Sequence, residues 1–195
     1  MRYSAFGRTP LRLATSALRD VSRAGDVPLV TKYDVPALIK VIHDSQTSIG
    51  VRVGLLAELQ RRGLVEGDPH WLRSLRNTKG KDRLAVIYAA GVHSSPAVNA
   101  ELIDILMGPD GAASAAAAIA LGSPGNAAAV EPLSKAIVSK NLRVAMAAIR
   151  GLGRIGTAEA RAVLASAATS HPDASVRRRA EAELRVLEAH QGGSK

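Results

Sequence analysis

Between Arg143 and Gly156 the chain reads RVAMAAIRGLGRIG, with apolar side chains returning every three to four positions. That is the period of a helix buried along one side. Three glycines interrupt it, and an interior glycine costs a helix about 1 kcal/mol relative to alanine. The pattern recurs along the chain. Copies start at Val51 (VRVGLLAELQRRG), Asp82 (DRLAVIYAAGVHS), Ala113 (ASAAAAIALGSPG), Val144 and Val176 (VRRRAEAELRVLE), at three steps of 31 residues and one of 32. In this register an anchor column reads Leu59, Ala90, Leu121, Leu152 and Leu184. Five shorter apolar stretches alternate with the copies: VPALIKVIHD from Val35, DPHWLRSLRN from Asp68, AVNAELIDILMG from Ala97, VEPLSKAIVSK from Val130 and ARAVLASAATS from Ala160. Pro36, Pro69 and Pro132 fall in first turns, where a missing N–H is harmless. The predicted unit is helix A, a short polar turn, then helix B, with helix B ending near Gly63, Gly125 or Gly156. A unit of this length that repeats five times must bury its apolar face against its neighbours in a stack.

The register also predicts faces. Positions one, five, eight, nine and twelve of each helix B copy cluster within about 100° of the helical wheel and should face the core. Positions three and seven lie opposite. They read Val53 and Ala57, Leu84 and Tyr88, Ala115 and Ile119, Met146 and Arg150, Arg178 and Ala182. An outward stripe that is apolar in the middle copies and cationic toward the C-terminus suggests a binding surface. The glycine column Gly91, Gly122 and Gly153 points to close backbone approach between helices. Trp71, in register with Leu102 and Leu133, should be core. Arg52, Arg83 and Arg177 share the second position of helix B, where pairing with turn acids such as Asp44, Asp82 and Asp173 would tie repeats together.

Composition narrows the class. The chain has 195 residues, 47% hydrophobic but only 3% aromatic, so its core must be built from Ala, Leu, Val and Ile, which suits helices. There is no cysteine, which excludes disulfides and thiolate chemistry and suits a reducing compartment, here taken as the cytoplasm. No apolar run reaches the roughly 18 residues of a membrane span. Net charge is +9, unevenly spread: residues 1–95 carry +7, residues 96–127 carry −3 with no Lys or Arg, and residues 128–195 carry +5. A phosphate-tracking protein needs a more continuous basic stripe. The first 19 residues hold four Arg and no acid, as an organellar presequence does. The favoured expectation is instead a basic amphipathic capping helix over Leu11 to Arg23.

The helix A, turn, VRxxAxxAL helix B pattern resembles HEAT repeats, in particular the short bacterial type related to the phycobilisome-lyase HEAT-like family. The resemblance spans roughly residues 34–188. It implies an all-α solenoid of about five two-helix repeats, with B helices lining a concave surface used for binding. The expected organisation is a basic segment and capping helix over 1–33, a repeat domain over 34–188 and a disordered tail over 189–195.

Candidate chemistry is sparse. His43, His70, His93, His171 and His190 fall at different registers, and no H-x-x-x-H spacing or His-Glu pair of the HEAT-fold iron hydroxylase kind occurs. GLGRIG offers G-x-G-x-x-G at Gly151, Gly153 and Gly156, but it ends a repeat helix rather than following a strand. The expectation is therefore a scaffold without catalytic, metal or cofactor residues. Its partner would be a protein segment, amphipathic and partly acidic. Leu84, Tyr88, Ile119 and Met146 would take the apolar side, and Arg150, Arg154, Arg178 and Arg179 the carboxylates. One alternative is nucleic-acid binding through the basic ends; a lyase-like accessory role is suggested by the family resemblance alone. No oligomeric state is fixed by these patterns.

Overall fold

The computed structural model describes residues 35–44, 46–61, 63, 66–93 and 95–192. Among them are ten α-helices and no strand. In order these are α1 (Val35–His43), α2 (Ile49–Arg61), α3 (Gly67–Asn77), α4 (Lys81–His93), α5 (Pro96–Met107), α6 (Gly111–Leu121), α7 (Val130–Ile137), α8 (Leu142–Ile155), α9 (Ala158–Ser170) and α10 (Ala174–Gly192). A single 3-10 turn, Ala127–Ala129, leads into α7. The ten alternate as five short A helices and five B helices at the predicted places. The last helix runs on to Gly192, past residue 188 where the pattern ends the repeat domain. The expected capping segment, Leu11 to Arg23, lies outside the described residues.

The chain divides into two compact units between Thr78 and Lys79. In the first, α2 packs on α1 and α3. Leu38, Val41, Ile42, Leu55, Leu56, Leu59, Trp71 and Leu75 form its core. Trp71 is 2% exposed, and its indole N–H donates to Gln60 Oε1 at 3.0 Å, which satisfies the polar end of a buried ring.

In the second unit α4, α6, α8 and α10 stack in sequence, while α5, α7 and α9 form a second layer, each against the B helix that follows it. The starts are set by local chemistry. Ser95, Asp110, Asn141, Thr157 and Asp173 each accept a backbone N–H from the first turn of α5, α6, α8, α9 and α10, the N-cap arrangement that satisfies otherwise orphaned donors. At the other end of α8, Gly156 adopts φ +67°, a left-handed C-cap that closes the helix with its N–H on Leu152 O.

The glycine column sits where B helices touch. A Cβ on Gly91 would lie 2.5 Å from Ala120 O, and one on Gly122 would lie 2.7 Å from Gly151 Cα. Both are backbone atoms, so the helix axes could not stay this close with any larger residue. Gly153 differs: its missing Cβ leaves room for the Glu183 carboxylate of α10.

This close packing also moves the boundary between core and surface. Positions five and nine are buried as expected in the first four copies, ending with Ala148 and Leu152. Position six is buried too, at Leu56, Ile87, Ala118 and Ile149, although the wheel leaves it off the core stripe. Position three, expected outward, is buried at Ala115 and half-buried at Leu84 and Met146. The reason is geometric. In the second unit α6 and α8 are each enclosed by their own A helix and by B helices on either side, so far more than a 100° arc is covered. In α6, Ala113 to Ala118 are all buried.

The face of the B helices as a candidate site

On α4 the outward side chains are Tyr88, 46% exposed, and Val92, 87% exposed, one turn apart on the same face. Leu84, one turn earlier, is half-buried. On α6 the matching positions are Ala115, buried, and Ile119, half-buried, followed by half-buried Ser123 just past the helix end. On α8 they are Met146, half-buried, and Arg150 and Arg154, both exposed. On α10 they are Arg178 and Ala182, both exposed, and Val186, 50% exposed. The face thus starts with an exposed aromatic and a valine, crosses a floor of small residues and ends in arginine.

The arginines are not equivalent. Arg179 is engaged within its own helix, its guanidinium 2.5 Å from Glu183 Oε1. It is therefore a structural contact that fixes the carboxylate held over Gly153. Arg154 reaches across to the C-terminal end of α6, Nη1 lying 3.5 Å from Ile119 O. A cation there complements the helix dipole. Arg150 and Arg178 make no hydrogen bond or ion pair among the described residues. They are the two cations of this face left for an external carboxylate.

The second-position arginines serve the stack. Arg83 lies 3.9 Å from Asp110, the N-cap of the next B helix. Arg177 donates to the carbonyls of His171 and Pro172 at 2.6 and 2.9 Å, closing the turn that precedes its own helix. The expected partners Asp82 and Asp173 are not the ones used by these two; Asp173 instead caps α10. Backbone N–H donation from Ser175, and then Val176, holds the Asp173 carboxyl below the ordinary carboxylate value.

Two features escaped the sequence pattern. In the first unit His43 and His70 stack with centroids 5.1 Å apart, and His43 Nε2 lies 2.9 Å from His70 Nδ1. One ring must donate and the other accept, so at least one is neutral. Desolvation by burial, reinforced by Arg73, His70 and Arg52, lowers the His43 pKa to about 4. Desolvation and Arg73 lower that of His70. Residues 27 apart in different registers gave no signal. In the second unit a groove of about 350 Å³ lies between α7 and α9, lined by Ser134, Ile137, Val138, Val163, Ser166 and His171 among others. Its hydrogen-bonding groups are largely spent on the backbone: Ser134 Oγ on Glu131 O, Ser170 Oγ on Ser166 O, and a His171 ring nitrogen on Ile137 O. Among the described residues no three His, Asp or Glu side chains converge as metal ligands, and no helix is long and apolar enough to cross a membrane.

Stacked two-helix repeats with a conserved internal register define an α-solenoid of HEAT-like units. A family model described as HEAT repeats matches residues 99–185. The HEAT repeats so matched include most of the alanine-rich third repeat. No curated protein matches its sequence. Among solved structures it is similar to human deoxyhypusine hydroxylase in complex with glycerol, at TM-score 0.54 and 16% identity, over 94% of this chain and 82% of that one. At that identity the likeness is one of fold.

Proposed function

We propose that this protein is a non-enzymatic scaffold whose B-helix face in the second unit holds a segment of another protein. The observation that carries this reading is the pairing of exposed Tyr88 and Val92 with the unpaired cations Arg150 and Arg178 on a stack of rigid helices. Leu84, Ile119 and Met146, half-buried between them, would form the floor rather than the anchors. Arg154 and Arg179 would contribute charge while already bonded within the fold. Apolar anchors with a charged rim are what helix and peptide grooves use. A protein without cysteine is suited to the cytoplasm, where such an interaction would operate.

The test is capture of binding peptides by the full-length protein and by the Tyr88→Asp/Ile119→Asp double variant, with circular dichroism to confirm that both are folded. Peptides retained by the parent should lose at least about tenfold in affinity on the variant. Unchanged capture would sink the assignment. Retardation of single- or double-stranded oligonucleotides at low salt, abolished by Arg150→Glu/Arg178→Glu, would transfer the face to nucleic acid instead.

A further inference from the structure

The B-helix face has its apolar and cationic features on different helices, and this constrains the occupant beyond its being amphipathic. Tyr88 and Val92 both belong to α4. Arg150 belongs to α8 and Arg178 to α10, and neither has an acidic partner among the described residues. Between them α6 presents no charged side chain of its own on this face, only buried Ala115 and half-buried Ile119, with half-buried Ser123 just past its end and Arg154 of α8 reaching Ile119 O. The separation is fixed because the stack is rigid: Gly91 against Ala120, and Gly122 against Gly151, lock α4 to α6 and α6 to α8 at backbone contact. Packed helix axes lie about 8–10 Å apart, so α4 and α8 are about 16–20 Å apart.

We propose, resting on the binding reading above, that the segment held here is polar along its length. One end carries apolar side chains that cover Tyr88 and Val92. The other carries at least two carboxylates that meet Arg150 and Arg178. The gap from α4 to α8 corresponds to about five or six residues of extended chain or about eleven to thirteen of helix, and reaching Arg178 on α10 adds about 8–10 Å. On this face α6 carries no charged side chain of its own, and the cation laid over its end, Arg154, is already on Ile119 O, so the middle of the segment should carry little charge.

The experiment is selection from a display library of random peptides of about twenty-four residues, long enough to reach from α4 to α10 in either conformation, on the full-length protein and on its Arg150→Glu/Arg178→Glu variant. The parent should enrich peptides with Asp and Glu gathered at one end and apolar residues at the other. The charge-reversed protein should keep the apolar end and enrich Lys and Arg at the other. A peptide chosen by the parent should bind the reversed variant about tenfold more weakly and regain affinity when its acids are changed to lysine. Enriched peptides with interspersed acids, or the same peptides on both proteins, would overturn the polarity while leaving peptide binding intact. Failure of the folded parent to enrich any peptide would remove the binding reading along with it.

Discussion

The His43–His70 contact is the clearest case of chemistry set by one pair of side chains. Two imidazoles sharing a hydrogen bond cannot both be charged, and burial beside Arg73 holds His43 far below the ordinary histidine value. The folded-state value of about 4 lies below the ordinary 6.5, so between these limits the unfolded chain binds more protons than the folded one. The contribution of the contact is full above about pH 6.5 and is lost as pH falls toward about 4. The first unit should therefore unfold more readily near pH 5 than near pH 7. Substitution His43→Gln should flatten that part of the profile. Histidine titration by nuclear magnetic resonance, alongside urea midpoints at the two values, checks both statements. A His43 ring that titrates at its ordinary value would refute them.

At the scale of elements, stability depends on how closely B helices approach. Gly91→Ala improves helix propensity by about 1 kcal/mol, but the new methyl would meet the Ala120 carbonyl at 2.5 Å. No rotamer change relieves a clash with backbone, so the helices must part, an overpacking cost of about 1–3 kcal/mol. The variant should be destabilised overall. Gly50 lies in the first turn of α2 with nothing within 4 Å of its missing Cβ, so Gly50→Ala should be neutral or stabilising by up to about 1 kcal/mol. Equal shifts in the urea midpoint for the two variants would show that space around the glycine is not what matters. The same contrast explains what the sequence could convey. Periodicity located the ten described helices, the anchor column as far as Leu152 and the purpose of Gly91 and Gly122, because each depends on spacing that recurs between copies. It misplaced Ala115 and the position-six residues, because enclosure by two neighbouring helices is not encoded in the wheel of one. It also counted Arg154 and Arg179 with the free cations. Their partners, a carbonyl of α6 and Glu183 one turn on, compete for the guanidinium only once the helices are formed and stacked.

At the scale of the whole molecule, the proposed segment would draw on different parts of the chain for association and for retention. The chain carries +9 overall, yet residues 96–127 carry −3, and the outward face of α6 among them is uncharged. An acidic segment would be drawn in by the field of the cationic regions and held by apolar contact at Tyr88 and Val92. Exposed charges at a rim act chiefly on the association rate and its salt dependence, while buried apolar area slows dissociation. Raising ionic strength from about 0.1 to about 1 M shortens the screening length from about 10 to about 3 Å. The association rate of a selected acidic peptide should fall by about tenfold or more across that range, with much less change in its dissociation rate. Tyr88→Ala should do the reverse, speeding dissociation with little effect on the salt slope. Stopped-flow or surface-capture kinetics separates the two. A salt dependence carried mainly by dissociation would mean that Arg150 and Arg178 are desolvated anchors of the complex, and the division of labour along the face would have to be reversed.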